Sequence, residues 1–526
     1  MNSNGAIHIH PGEDIDDILG ELRKADHATI NKLTLYNLKI SKELAKALLR
    51  FRKAHFEYQR RHGIGIKRLT LEVLGCTGCL DRVLEGFAKE LQEDDDQHSE
   101  GIDQEQEQEL ILQHSHADHF DLSAFVALGI ALSSNDAKQK TIVRLYQPVL
   151  SEAKIWAMSQ GIRQSEHLKE LDLSSCRFAP MTLNKVIHYL AEGFAHNQHL
   201  KCLQFADCDL NDDQIVCLLE GLHGHPAIET LNLAGNKCRS KGMAALATSF
   251  SSNRMQSSPN CGLCPLRLNL SNQHRRRHDA SKQRQSDDRD EEEKGKILLN
   301  TAVVEAWKAS TLFTNRLVSL NLSQNNLHDK DLEHLVTLMF TMEADDCYST
   351  SIQELDISQN EITDAGIQIL ANTIKRCRRD REDHGRGFRC LNICGCPALT
   401  IQAFEALADA TKMNVDVEEI YCTPPPSSPI ISPTANRDLS SIEATVKSIQ
   451  FYTMLNRGGR KVFGFDRADI VPPALWPLIL DRVNHKINWG RWQVNETNAK
   501  INVLYHLLRQ GPVLTESCQS MEHSQV

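Results

Sequence analysis

The chain has 526 residues, more than the roughly 250–300 over which a single hydrophobic core grows, so several domains or an elongated repeat array are expected. A formal net charge of −10 argues against a nucleic-acid binder, which needs a basic field to displace counterions from phosphates. No run of roughly 18 apolar residues marks a membrane-spanning helix, and residues 1–17 carry Glu13, Asp14, Asp16 and Asp17 with no Lys or Arg, unlike the basic start of a signal peptide. An intracellular protein is therefore expected, in the cytoplasm or, alternatively, the nucleus. Its 16 cysteines are expected to be reduced thiols buried as small hydrophobes.

Residues 1–29 form an N-terminal segment. From residue 30 a pattern emerges, weak at first. Leu33, Leu35 and Leu38 precede an apolar-periodic stretch over 44–51, and Leu69, Leu71 and Leu74 precede another over 84–91. Degenerate strands are placed at Leu110–Leu112 and Val143–Leu145. Between them residues 93–109 are rich in Asp, Glu and Gln with almost no apolar residue, and are expected to be a solvated, disordered insert.

The pattern then becomes strong: an apolar residue, two variable residues, Leu-x-Leu, two variable residues, then Asn or Cys. It occurs at Leu168, Leu171, Leu173 and Cys176, at Leu200, Leu203, Phe205 and Cys208, and at Ile228, Leu231, Leu233 and Asn236. It returns at Leu317, Leu320, Leu322 and Asn325, at Ile352, Leu355, Ile357 and Asn360, and at Phe388, Leu391, Ile393 and Cys396. Alternate residues of a strand face one side, so the Leu-x-Leu pair is predicted to enter the core. The Asn or Cys is predicted to bond backbone groups where the chain leaves the strand.

Helical periodicity follows these strands, as in Ile367, Leu370, Ala371 and Ile374 after Asn360, and Met243, Leu246 and Ala247 after Asn236. Asp212 and Asp213 stand at the start of a helix carrying Ile215, Leu218 and Leu219, where acidic groups suit the helix dipole. A further strand is expected at Leu268-Asn269-Leu270 and a last one over residues 417–422. Residues 273–296, basic at Arg275–Arg277 and then acidic, are expected to be a second disordered insert.

Residues 423–438 are Ser/Pro-rich and predicted to be a linker. A helical module is predicted over 439–515. Its first helix is capped by Ser440 or Ser441, carries Ile442, Val446, Ile449, Tyr452 and Leu455, and ends at Gly458-Gly459. Its second opens at Pro472-Pro473 and its third lies near 499–509; Trp476, Trp489 and Trp492 fall within this module. Residues 516–526 form a tail.

The repeat resembles the ribonuclease-inhibitor-like class of leucine-rich repeats, most closely at Leu355-Asp-Ile-Ser-Gln-Asn360-Glu-Ile-Thr-Asp-Ala-Gly366. The resemblance covers residues 30–422. It implies an α/β solenoid, a curved horseshoe with a parallel sheet on its concave face and helices on its convex face. The order LNRGGR, VPPALWPLIL, VLYHLLRQGP resembles a C-terminal helical segment of many algal leucine-rich-repeat proteins, and that segment implies no activity.

The residue patterns leave no enzyme or metal site standing. No P-loop, GxSxG, kinase set or HExxH is present. Cys76-Thr-Gly-Cys79 and Cys261-Gly-Leu-Cys264 are CxxC pairs, but distant repeats of a solenoid do not converge, so structural thiols are expected and no zinc. His114, His116 and His119 with Asp118 and Asp121 lack a strict ligand spacing. The Arg275–Arg277 segment is read as a solvated loop, with a nuclear signal as the alternative. Asn495-Glu-Thr matches a glycosylation sequon that is silent without secretion.

A non-catalytic scaffold without cofactor is therefore expected, binding another protein through the concave strand surface. The candidate partner-binding residues are Glu170, Asp172, Asn321, Glu354 and Asp356. They belong to a polar ladder that also includes Gln204, Asn232, Asn269 and Asn392. The carboxylates favour a partner with a basic patch. Charge reversal at Asp172 or Asp356 is expected to weaken binding and leave the melting temperature unchanged. The alternative, implied by a shared repeat class, is a regulator of the Ran GTPase-activating type.

Overall fold

The computed structural model describes residues 6–9, 18, 20, 32–36, 39–61, 70–74, 77–78, 82–83, 85, 106–113, 122–133, 139–146, 149–178, 182–250, 265–273, 299, 301–310, 316–343, 346–349, 351–376, 388–422 and 433–457. The chain divides into two units, Met1–Arg277 and His278–Val526.

In the first unit the elements are β1 (Ala6–Ile9), β2 (Lys32–Tyr36), β3 (Lys39–Ile40), α1 (Lys42–Arg61), β4 (Thr70–Leu74), β5 (Thr77–Gly78), β6 (Gln106–Gln113), α2 (Leu122–Ser133), β7 (Gln139–Tyr146), β8 (Val149–Leu150), α3 (Glu152–Gln164), β9 (Leu168–Asp172), β10 (Arg177–Phe178), α4 (Leu183–His196), β11 (Cys202–Gln204), α5 (Asp212–Gly221), β12 (Thr230–Asn232), α6 (Ser240–Ser249) and β13 (Leu266–Asn269). The main strands run parallel in the order β1-β2-β4-β6-β7-β9-β11-β12-β13. Their register aligns one residue per strand: Ile7, Leu33, Leu71, Leu110, Val143, Leu171, Leu203, Leu231 and Leu268. β3 with β5, and β8 with β10, make small parallel pairs beside it.

In the second unit the elements are α7 (Thr301–Ala309), β14 (Leu317–Asn321), α8 (Asp329–Met339), β15 (Phe340–Glu343), β16 (Asp346–Ser349), β17 (Glu354–Asp356), α9 (Asp364–Arg376), β18 (Cys390–Asn392), α10 (Ile401–Met413), β19 (Glu419–Tyr421) and α11 (Pro433–Arg457). β14, β17, β18 and β19 form a parallel array with Leu320, Leu355, Leu391 and Ile420 in register. β15 and β16 form an antiparallel hairpin between α8 and β17. Each unit is thus a segment of an α/β repeat solenoid. Its core lies between strands and helices, where Leu171, Leu203, Leu231, Leu355 and Leu391 meet helical residues such as Leu190, Leu218, Leu246 and Leu370, all buried.

The turn after each strand explains the Asn or Cys of the pattern. The residue before it lies in the left-handed region in every strong copy: Ser175, Asp207, Gln324 and Gln359, and the glycines Gly235 and Gly395. That turn aims the next side chain into the interior. Asn360 Nδ2 donates to Leu322 O at 3.0 Å and Ile357 O at 2.8 Å, and its Oδ1 accepts from Asn325 N at 2.9 Å and Leu327 N at 3.0 Å. Asn236 does the same for Phe205 O, Leu233 O and Leu210 N. Cysteine supplies only the donor half: Cys176 Sγ bonds Leu145 O at 3.0 Å and Cys208 Sγ bonds Leu173 O at 3.1 Å.

Successive helices approach closely where a side chain is missing. A Cβ on Gly161 of α3 would fall 2.3 Å from Gly129 O of α2, and one on Gly221 of α5 would fall 2.3 Å from Ala191 O of α4. Aspartates at helix starts reach forward into the next repeat. Asp212 Oδ1 accepts Arg239 N at 2.6 Å at the start of α6, and Asp364 Oδ1 accepts Thr400 N at 2.8 Å at the start of α10.

The structure departs from the sequence expectations at several boundaries. The array includes β1, within the segment assigned to residues 1–29, because Ile7 and Ile9 add a buried apolar edge to β2. β6 begins at Gln106, inside the expected insert 93–109, and Gln273, assigned to the second insert, is buried. Gln273 takes the Asn position after β13: its Nε2 donates to Leu233 O at 2.8 Å and its Oε1 accepts Cys238 N at 2.9 Å.

α11 begins at Pro433, within the expected linker. It packs on α10 and β19 as the helix of the last repeat, with Arg457 Nη2 2.6 Å from Glu419 Oε1. Proline suits a helical first turn, where its missing N–H has no intrahelical acceptor. The rest of the two inserts, the cysteines of both CxxC pairs, the histidine cluster and Trp476, Trp489 and Trp492 lie outside the described residues.

Candidate functional site

One side of each strand is committed to the core. The other side presents two columns of side chains. In the first unit, Glu170, Cys202, Thr230 and Arg267 are in register, and beside them Arg144, Asp172, Gln204, Asn232 and Asn269. In the second unit the columns are Ser319, Glu354, Cys390 and Glu419, and Asn321, Asp356, Asn392 and Tyr421. All five expected partner-binding residues fall in these columns, Glu170, Asp172 and their neighbours in one unit and Asn321, Glu354 and Asp356 in the other.

The two columns differ chemically. The second is tied to the turns. Asp172 Oδ1 accepts Ser174 N at 2.9 Å, Asn321 Oδ1 accepts Ser323 N at 2.9 Å, and Asp356 Oδ1 accepts Ser358 N at 2.9 Å. Asn232, Asn269 and Asn392 bond Ala234, Ser271 and Cys394 in the same way. These are side-chain bonds to the backbone two residues on, a turn device of Asn and Asp. Asp172 is 3% exposed and Asp356 is 7% exposed. Asp356 also accepts Ser358 Oγ at 2.7 Å and Asn392 Nδ2 at 2.9 Å. Neither carboxylate stands on an open surface as the ladder of polar residues suggested.

The first column is half-buried and carries its charges forward. Glu170 Oε2 lies 3.1 Å from Arg144 Nη2, each side chain about a quarter exposed. Glu419 accepts Tyr421 OH at 2.5 Å and Arg457 Nη2 at 2.6 Å. Glu354 is half-buried on β17, between the strands that carry Ser319 and Cys390, and Ser319 is half-buried on β14.

Cys202 and Cys390, in the first columns, are poor nucleophiles. Burial pushes the Cys202 thiol up to about 11, and the neighbouring Glu170 adds to it. Burial, then Glu419, drives Cys390 upward, and burial, then the Glu419 hydrogen bond, raises Tyr421. Thiols held in the neutral form lack the thiolate that nucleophilic or metal chemistry uses. Among the described residues no group of three or more His, Cys, Asp or Glu is arranged to hold a metal ion.

The family profile described as Leucine Rich repeat matches residues 164–180, 196–218 and 348–371. The chain carries leucine-rich repeats. The matched stretches of this leucine-rich-repeat array hold β9 with its turn, β11 with most of α5, and β17 with the first half of α9. No curated protein matches the chain. Leucine-rich repeats are generally non-catalytic and bind other proteins, and among the described residues no helix is long and apolar enough to cross a membrane.

Sequence reasoning found both columns but not their division of labour. The signal was present: in the second column a small residue follows two positions on, as in Asp172-x-Ser174, Asn321-x-Ser323 and Asp356-x-Ser358. Residues missed entirely were Arg144, Cys202 and Arg267, which share the first unit's face with Glu170, and Glu419, which shares the second unit's face with Glu354.

Proposed function

We propose that the chain is a non-catalytic scaffold that binds another protein through the first columns of its strand faces, with Glu170 as the principal contact in the first unit and Glu354, with Asn321 at the margin, in the second. Asp172 and Asp356 support the face by fixing the turns beside it. The observation that carries this reading is the register. Repeated strands hold half-buried, chemically varied side chains at constant spacing over a rigid core, which suits many weak contacts over a broad area. The half-buried carboxylates favour a partner surface bearing Lys or Arg, chiefly by steering its approach. The constant presence of a full helix after the strong strands supports the ribonuclease-inhibitor-like subtype. An intracellular setting, cytoplasmic or nuclear, accords with a face lined by reduced thiols.

The test is affinity capture on the full-length chain, followed by mass spectrometry, with Glu170→Lys, Glu354→Lys and an outer-helix control, Lys185→Glu. A partner retained by wild type and control but lost by the first two variants supports the proposal. A partner equally retained by all three overturns it. Recovery of a Ran-type GTPase whose hydrolysis is accelerated would establish the regulatory alternative.

A further inference from the structure

The last described repeat leaves two polar groups unmet that earlier repeats meet with their following strand. The first is on an asparagine. Asn197, after α4, donates Nδ2 to Ile162 O and Ser165 O, both at 2.8 Å, and its Oδ1 accepts His199 N at 2.9 Å and Leu200 N at 2.8 Å. Asn414, after α10, donates to Ile374 O at 2.8 Å and accepts Asp416 N at 2.8 Å and Val417 N at 3.3 Å. In both, the amide oxygen shapes the chain as it enters a strand, β11 in one case and β19 in the other. Asn456 repeats the donor half, bonding Asn414 O at 2.9 Å and Val417 O at 2.8 Å. Its Oδ1 is buried without a hydrogen-bond partner, an arrangement native proteins avoid because the oxygen has lost its water.

The second group is a backbone N–H. After each strand of this unit the next residue donates to the neighbouring strand: Leu322 N to Asp356 O at 2.8 Å, Ile357 N to Asn392 O at 2.9 Å, and Ile393 N to Tyr421 O at 2.9 Å. Cys422 holds that place after β19, and its N–H has no acceptor among the described residues.

One stretch of sequence answers both. Val462 follows Asn456 at the interval at which Leu203 follows Asn197 and Ile420 follows Asn414. The same alignment sets Gly458 and Gly459 at the places of Asp416 and Val417, whose N–H groups the asparagine oxygen accepts. It sets Phe463 at the place of Tyr421, whose carbonyl accepts Ile393. Gly459 departs from the pattern, since Leu200 and Val417 are apolar there.

We infer that the open edge of β19 is the docking site for residues 460–464 of the same chain, which lie outside the described residues, added in parallel with Val462 opposite Ile420. The occupant of this edge is therefore the chain itself and not a partner's strand. The consequence is twofold. An edge that would template intermolecular pairing is covered, and the sequence from residue 465 onward is anchored to the last repeat.

Hydrogen exchange on the full-length protein, read by mass spectrometry on peptides spanning 458–465 and 418–424, tests this. Exchange of 460–464 and Cys422 should be slowed at least about 100-fold relative to the unprotected chain, since edge pairing opens only by local unfolding. Val462→Pro should abolish that slowing in both peptides and leave β17 and β18 protected. Exchange of 460–464 at the unprotected rate in wild type overturns the inference. So does protection that persists in Val462→Pro.

Discussion

Asp329, in the first turn of α8, holds Thr363 of the next repeat by two bonds, accepting its backbone N–H at 2.8 Å and its hydroxyl at 2.6 Å. Asp364 then holds Thr400 in the same way one repeat further on. Both helix starts therefore place a carboxylate at the entrance of the following helix, where an anion also suits the helix dipole. Asp329→Ala should lower stability by about 1–2 kcal/mol, the range for a lost N-cap. Asp329→Asn should lose less, because its amide oxygen still accepts the N–H. Urea unfolding of the two variants against wild type checks the order.

The interior asparagines should matter more than the cysteines that replace them. Asn360→Ala leaves the N–H groups of Asn325 and Leu327 and the carbonyl of Leu322 buried without the partner they have now. At about 1–3 kcal/mol for an unsatisfied buried group, with partial relaxation, a loss of about 2–4 kcal/mol is expected. Cys208→Ala removes a single weak thiol donor and a small apolar volume, so about 1–2 kcal/mol is expected. A larger loss for Cys208→Ala than for Asn360→Ala in the same denaturation series would contradict this account of the turn.

What the sequence revealed follows from which interactions have a period. Leu171, Leu203 and Leu231 are core contacts at a fixed interval, so the strand ladder and its register were legible. The Asn or Cys position was legible because only small polar side chains serve that turn. Asp329 and Asp364 were hidden, because an acidic residue in a first turn is explained by its own helix. Asp172 and Asp356 were misplaced as surface contacts, because period-two patterning assigns a face and not a depth. α11 was set apart from the array because the Ser/Pro-rich stretch before it reads as a linker, although its Ile442, Val446, Ile449 and Leu455 are buried and Asn456 and Arg457 bond the last repeat. The hairpin of β15 and β16 has no repeat counterpart, so no periodicity announced it.

Thiols tie stability to alkaline pH. Burial raises Cys202 from 9.0 to about 11, and burial raises Cys208 and Cys422 from the same value to about 12. A folded-state pKa above the unfolded value means the folded chain keeps protons that the unfolded chain loses. The associated stability is complete below about 9 and declines as pH climbs toward about 11 to 12. Native protein at pH 8 should accordingly resist alkylation by iodoacetamide at these three cysteines, and unfolding in urea should expose them. Rapid native modification of Cys208 at pH 8 would refute the burial argument.

Recognition and folding are separable on the strand face, because its two columns differ in depth. Glu170 is half-buried, and its ion pair to Arg144 is partly solvated; such pairs contribute about 0–1 kcal/mol. Glu170→Lys should therefore shift the urea midpoint little while reversing the charge a basic partner meets. Asp356 is nearly inaccessible and accepts three bonds, from Ser358 N, Ser358 Oγ and Asn392 Nδ2. Asp356→Lys replaces an acceptor with a donor that none of these groups complements. The turn after β17 then loses its anchor, at a cost of about 3–5 kcal/mol for a broken buried polar network. Partner capture and thermal melting on the same two variants distinguish the roles. Glu170→Lys should bind weakly and melt normally, whereas Asp356→Lys should melt early whatever its binding. Should Asp356→Lys melt at the wild-type temperature yet lose the partner, its carboxylate would belong to the recognition surface after all. Should Glu170→Lys melt early, the pair with Arg144 would be a fold contact, and the recognition column of the first unit would have to be sought among Cys202, Thr230 and Arg267.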